Sequence, residues 1–370
     1  MFQFRRVLAG GIAVGSVAAA YVGLAGGGNA TASDHARAQP IVIAHRGASE
    51  YRPEETLSAY KLAISMGADY IEPDVVSTKD HVLVARHENA LSQTTDVANH
   101  PEFQDRKKTK TIDGTAVTDW FTEDFTFAEL RTLRAKERIP DIRPDNTVFD
   151  GQDQIPSLEE VIKLARENNV GVYPETKHPT YFTSIGLPLE DELLSLLAKY
   201  GLDKKDSKVF IQSFEPGSLE KMRPKTKANL IQLIDSAGKP YDFVASHDPR
   251  TYDDLVKPEG LRWLSSFANG IGPSTTRIVP VDATGHLGQP TTLIRDAHRN
   301  HLKVHPYTIR PENNFLPVDF RQGNPNSPNF KRAEGNATGW LTLLFKLGVD
   351  GVFCDDSALA VATRTHLYGS

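Results

Sequence analysis

One cysteine, Cys354, stands in 370 residues, so no disulfide can form within the chain. Small exported domains lean on such bridges, but a chain of this length buries a core without them. Cys354 follows Val352-Phe353 and reads as a buried strand residue, not a reactive thiol. A clustered basic surface is also missing. The run Arg106-Lys107-Lys108 is short and lies beside Glu102 and Asp105, and the formal net charge is -5. Nucleic acid is therefore not an expected partner. The chain has no P-loop, no G-x-S-x-G elbow and no H-E-x-x-H helix, which argues against three common catalytic frameworks. It also has no internal repeat and no low-complexity tract. Its 39% hydrophobic and 24% charged residues are ordinary for a globular chain.

The first forty residues differ from the rest. Arg5-Arg6 precede an apolar, Gly/Ala-rich stretch from Val7 to Leu24, and Ala30-Thr31-Ala32 offers a cleavage site. This pattern predicts a signal peptide and N-terminal segment over residues 1–40, hence a periplasmic or secreted protein with no stable membrane insertion afterwards. A retained anchor is the alternative, disfavoured by the many small residues. The arginine pair leaves general and twin-arginine export both open.

From residue 41 to 370 short apolar runs alternate with helical patterns. Ile41–Ala44 is fully apolar, as in a parallel strand covered on both faces. Further strands are predicted at 70–74, 170–175, 209–213, 230–234, 270–272, 304–307 and 351–353. Helices are predicted at 55–66, from Ser157 onward (a capping box with Glu160), and at 188–199, 215–222, 290–300 and 338–347. Strand-helix repetition on this scale predicts an α/β fold closed as a TIM (β/α)8 barrel, with an open doubly wound sheet as the alternative. Val82–Ala85 follows too closely on the second strand for a parallel crossover and is predicted to return as a hairpin. Residues 88–155 break the rhythm and read as a lid or subdomain on the catalytic face.

Chemistry-bearing residues fall at strand ends. His45-Arg46-Gly47 closes the first strand; a histidine there can move protons and an arginine can grip phosphate. Glu72 and Asp74 flank Pro73 and share one face, where two unpaired carboxylates would be costly without a hard cation. The hairpin would return His87 to a position across from Glu72. Glu175 and Lys177 repeat the pattern on the third strand, although an isolated Glu/Lys pair is ordinarily a surface pair. His298, His301 and His305 lack nearby carboxylates and read as non-ligands.

Taken in order, the segments IAHRGAS, PEET, YIEPDVVSTKD, ARHEN, YPETKHP, QSFEP, HPYTIR and DGVFCDD resemble glycerophosphodiester phosphodiesterases, especially the calcium-dependent periplasmic branch. The resemblance implies a TIM barrel with residues 88–155 as a small helical subdomain. It implies hydrolysis of a small-molecule glycerophosphodiester to glycerol 3-phosphate and an alcohol. Position by position it makes Glu72, Asp74 and Glu175 metal ligands, His45 and His87 the acid/base pair, Arg46 a phosphate-binding residue and Lys177 a substrate-site residue. The ion implied is Ca2+, with Mg2+ also suited to three carboxylates. Two departures stand out: Glu55 occupies a usual asparagine position and Glu88 a frequent aspartate position. Glu54 still matches and is expected to hydrogen-bond within the site. Competing expectations are a related phosphodiesterase acting on intact lipid or teichoic acid, and an exported binding protein that keeps the fold without turnover.

Overall fold

Proline decides how the central sheet is drawn. The computed structural model describes residues 39–369, so nearly all of the expected signal segment lies outside the described residues. Within them the strands are Ile41–His45 (β1), Tyr70–Glu72 (β2), Asp74–Ser77 (β3), Leu83–Ala85 (β4), Lys108–Ile112 (β5), Thr115–Asp119 (β6), Gly171–Val172 (β7), Glu175–Thr176 (β8), Phe210–Ser213 (β9), Asn229–Ile234 (β10), Gly270–Pro273 (β11), Lys303–Val304 (β12) and Gly351–Cys354 (β13). Pro73 separates β2 from β3, and Pro174 lies between β7 and β8. A proline has no N–H for the ladder, so each of these barrel strands is interrupted where it turns toward the site.

Counting each interrupted strand once, eight parallel strands form the wall. Their order runs β13-β1-β2-β7 on one side of the breaks and β12-β11-β10-β9-β8-β3 on the other. The wall closes between β12 and β13, where Phe353 N–H donates to Pro306 O at 3.1 Å and Ile309 N–H to Phe353 O at 2.8 Å. Closure selects the barrel over the open sheet. The seventh strand is shorter than the predicted 304–307 stretch because Pro306 removes a donor. As expected, β4 is the extra strand: it runs antiparallel to β3, with Val75 opposite Ala85 and Ser77 opposite Leu83.

Helices cover the outside. Leu158–Glu167 starts with the predicted capping box, Ser157 and Glu160 satisfying each other's backbone, and it buries Val161, Ile162, Leu164 and Ala165. Gly47 takes φ +88°, and a Cβ there would come within 2.7 Å of Ala59, so glycine lets the first loop lie against helix Leu57–Ser65. Among the described residues no helix is long and apolar enough to cross a membrane.

The 88–155 segment is mixed in character, not simply helical. It holds several short 3-10 turns and the four-residue helix Phe127–Leu130, but also the antiparallel β5–β6 hairpin. Asp113-Gly114 turns that hairpin, both residues at positive φ (46° and 79°). Asp-Gly between alternating β-branched residues is a strong hairpin signal, and it overrides the helical expectation drawn from the resemblance.

Candidate active site

Side-chain alternation builds the site. Ile43, Tyr173, Phe210, Ile231 and Phe353 form a separate buried cluster, with Tyr70 against it, distinct from the larger core. They plug the barrel interior. Residues two further along point the same way, one layer nearer the carboxyl ends of the strands. That rule carries Ile43 to His45, Tyr70 to Glu72, Tyr173 to Glu175, Phe210 to Gln212 and Phe353 to Asp355. Strand register then sets them side by side: His45 is level with Glu72, Asp74 with Glu175, and Glu175 with Gln212.

Six of the seven sequence-predicted residues, all but Asp74, line one cavity of about 160 Å³: His45, Arg46, Glu72, His87, Glu175 and Lys177. Asp74 sits against it, fully buried, with Arg46 Nε 2.9 Å from Oδ2. Glu72, Asp74 and Glu175 each place one oxygen within 4.8 Å of the others. Oxygens sharing one calcium ion at about 2.3–2.6 Å are separated by no more than roughly 5 Å, so the trio has a suitable span. Neither oxygen of Asp74 meets a well-aligned N–H donor, the Arg46 pairing at Oδ2 being one of charge. Two further contacts orient Glu72, from Gln212 Nε2 at 2.7 Å and from the Arg46 backbone N–H at 3.0 Å.

Three acids this close resist common ionisation. Burial, and then the charge of Asp74, push Glu72 well above the usual carboxylate range. Burial raises Glu175 to about 8, with Lys177 opposing that rise. For Asp74 burial also disfavours charge, but Arg46 and Lys177 outweigh it and hold the carboxyl low. A divalent cation would supply the missing positive charge, and the residues present fit one.

A carboxylate stands beside each histidine, hydrogen-bonded to His45 and at ion-pair distance from His87. His45 Nδ1 lies 2.6 Å from Asp355 Oδ1, which leaves Nε2 as the proton acceptor. Asp355 is in turn held by Arg143 at 2.6 Å and Arg310 at 3.1 Å. Burial and Arg46 bring the His45 imidazole down to about 4, with Asp355 acting against them. His87 follows β4 and its Nδ1 is 3.1 Å from Glu88. Burial, then Arg46 and Lys177, keep it well below its usual value. Glu54 meets Arg46 at 3.3 Å and Arg138 at 2.9 Å, as expected of a hydrogen-bonding position.

Glu55 is completely buried, which disfavours a further charge beside Asp74. Burial and Asp74 push its carboxyl well up, while it accepts from the Asp74 N–H at 2.9 Å and from the Tyr60 hydroxyl. It therefore serves as a buried acceptor for both donors. His298 pairs with Asp350 and His305 with Tyr173, away from the carboxylate trio. Sequence reasoning did not single out Gln212, Asp355, Arg143 and Arg310; the first two follow from the two-residue alternation once the barrel is drawn.

Comparison with known proteins shows the family and the fold. The model of the glycerophosphoryl diester phosphodiesterase family matches residues 45–359. A glycerophosphodiester phosphodiesterase of Arabidopsis thaliana is 38% identical over 331 residues, covering 86% of this chain and 84% of its own. One from Haemophilus influenzae is 29% identical over 356 residues, covering 88% and 89%. Among solved structures, an Oleispira antarctica phosphodiesterase in complex with the product sn-glycerol-3-phosphate superposes with TM-score 0.53 at 19% identity, covering 88% of this chain and 96% of that one. A glycerophosphodiester phosphodiesterase from Agrobacterium tumefaciens gives 0.54 at 17%, covering 87% and 99%. The two structures speak to the fold, the family model and the first relative to kinship. The chain belongs to the glycerophosphoryl diester phosphodiesterase family, enzymes that hydrolyse phosphoric diesters.

Proposed function

We propose that the chain hydrolyses glycerophosphodiesters to glycerol 3-phosphate and an alcohol, using a divalent cation and the pair His45 and His87. The observation that carries this reading is convergence. Two imidazoles, two arginines (Arg46 and Arg310), Lys177, and Glu72 and Glu175, with Asp74 completing a three-acid span behind them, meet around one cavity of about 160 Å³. A non-catalytic binding protein on this fold would be expected to lack one of these groups.

Arg46 and Lys177 bring two cations to the phosphodiester. Lys177 stays protonated because Glu175 and Asp74 outweigh the burial that opposes its charge. Glu72, Asp74 and Glu175 would hold the cation, which when bound draws charge from the nonbridging phosphate oxygens. His45, enclosed and fixed by Asp355, is assigned as the base. It takes the proton of the glycerol 2-hydroxyl, whose oxygen attacks phosphorus to give a cyclic phosphate as the bond to the alcohol breaks. His87 is assigned as the acid that protonates the departing oxygen, because it also borders a second cavity of about 460 Å³ with room for headgroups of different size; the phosphodiester anion, once bound, offsets the Arg46 and Lys177 charges that disfavour its protonated form in the free site. Water then opens the ring with the proton transfers reversed. Calcium is the favoured ion, through the resemblance to the periplasmic branch.

The test is release of glycerol 3-phosphate from a panel of glycerophosphodiesters, before chelation, after it, and after return of calcium or magnesium. Chelation should abolish turnover and one ion should restore it; full activity without any ion contradicts the metal role. His45→Ala should lose turnover on every substrate. His87→Ala should recover on a diester with an activated aryl leaving group, whose anion needs no proton. The reverse pattern would exchange the two roles, and near wild-type turnover in either variant would end the two-histidine mechanism.

A further inference from the structure

His178 plays no part in the chemistry above, yet its surroundings are unusually specific. It follows Lys177 and precedes Pro179, where helix Pro179–Ser184 begins, and it sits at φ +50°. A residue before proline is biased toward extended backbone, and a left-handed conformation is costly for a side chain larger than glycine's. What holds it there is visible. Its Nδ1 donates to Asp113 Oδ2 at 2.6 Å and its Nε2 to Glu88 Oε2 at 2.8 Å. The other oxygen of Glu88 is the one that meets His87 Nδ1 at 3.1 Å. The chain Asp113–His178–Glu88–His87 is thus continuous, and its far end is the tip of the β5–β6 hairpin.

We propose that His178, anchored by Asp113, is a positioning residue that fixes the proton-transferring His87 through Glu88. The inference rests on the phosphodiesterase reading and deepens it, because it gives the 88–155 segment a task in the same site. Charge supports the geometry. Burial opposes a protonated His178, but its hydrogen bonds to Asp113 and Glu88 raise it to about 9, so both ring nitrogens donate at neutral pH. Glu88 is kept ionised by the His178 hydrogen bond and Lys177, against burial. The Glu88 carboxylate, held at 3.1 Å from Nδ1, limits where the His87 ring can turn and places negative charge beside it. An ordinary surface ion pair would need neither the strained backbone nor the shared carboxylate.

A double-mutant cycle decides, with kcat and KM measured on glycerophosphocholine at the activating ion concentration. His178→Ala and Asp113→Asn should each lower kcat about 10- to 100-fold, the scale of loss when a reacting group is misplaced by about an ångström, and leave KM nearly unchanged. Added to His87→Ala, either change should cost less than roughly 2-fold more, because the residue it acts through is gone. His178→Gln, whose amide can still donate to Glu88, should recover part of the loss. Equal losses in the wild-type and His87→Ala backgrounds, or an unchanged kcat, would overturn the proposal. Asp113→Asn gives the same reading if His178→Ala fails to fold. Turnover by the wild-type enzyme tests the phosphodiesterase reading independently of the cycle.

Discussion

Asp355 is fixed by Arg143 and Arg310 and faces a histidine 310 positions away, so its role is testable by a change that preserves shape. Asp355→Asn keeps the volume but can present its amide N–H to His45 Nδ1, favouring the wrong tautomer. The expected result is a fall in kcat of at least about 100-fold with KM little changed, read from steady-state kinetics. Glu55 makes the complementary case. Because burial disfavours its charge, it should tolerate Glu55→Gln with stability within about 1 kcal/mol, whereas Glu55→Ala strips the partner from the buried Asp74 N–H and costs about 1–3 kcal/mol in denaturant unfolding. At this scale the seven predicted residues, which the fold brings together, were conspicuous as histidines, cations and acids at strand ends, and the resemblance supplied the roles expected of them. The residues that brace them were not. Which carboxylate meets which ring depends on contacts across hundreds of positions, and local pattern carries no trace of these.

Among the elements, strands and helices came through the sequence more clearly than the insertion did. Apolar runs marked the strands, and the Ser157–Glu160 box marked its helix to the residue. The break at Pro73 was foreseeable from a missing donor. The β5–β6 hairpin was overlooked although Asp113-Gly114 announced it, because the resemblance suggested helix there. Its anchor has a pH dependence whose sign follows from His178. The folded-state value of about 9 lies above the ordinary 6.5, so the stabilisation is fully present below about 6.5 and is lost as pH rises through 9. Hydrogen exchange at the hairpin amides, corrected for intrinsic rates, should show protection falling over that window in the wild type and a flatter response in His178→Gln. At the first loop, Gly47→Ala would force a Cβ to within 2.7 Å of Ala59 at φ +88°. It should cost about 1–3 kcal/mol or more and reduce turnover by shifting His45 and Arg46.

For the whole molecule the decisive feature is closure. Once eight parallel strands form a barrel, alternation alone lifts His45, Glu72, Glu175, Gln212 and Asp355 into one layer, and the β3–β4 hairpin folds His87 over it. The sequence favoured a barrel but periodicity could not exclude an open sheet, since closing hydrogen bonds join residues that no pattern links. The most direct measurement is a crystal structure of the enzyme grown with calcium and glycerol 3-phosphate. One ion bound at about 2.3–2.6 Å by oxygens of Glu72, Asp74 and Glu175, with the phosphate between the rings of His45 and His87, is the predicted result. An ion held elsewhere, or a phosphate out of reach of both imidazoles, would contradict it.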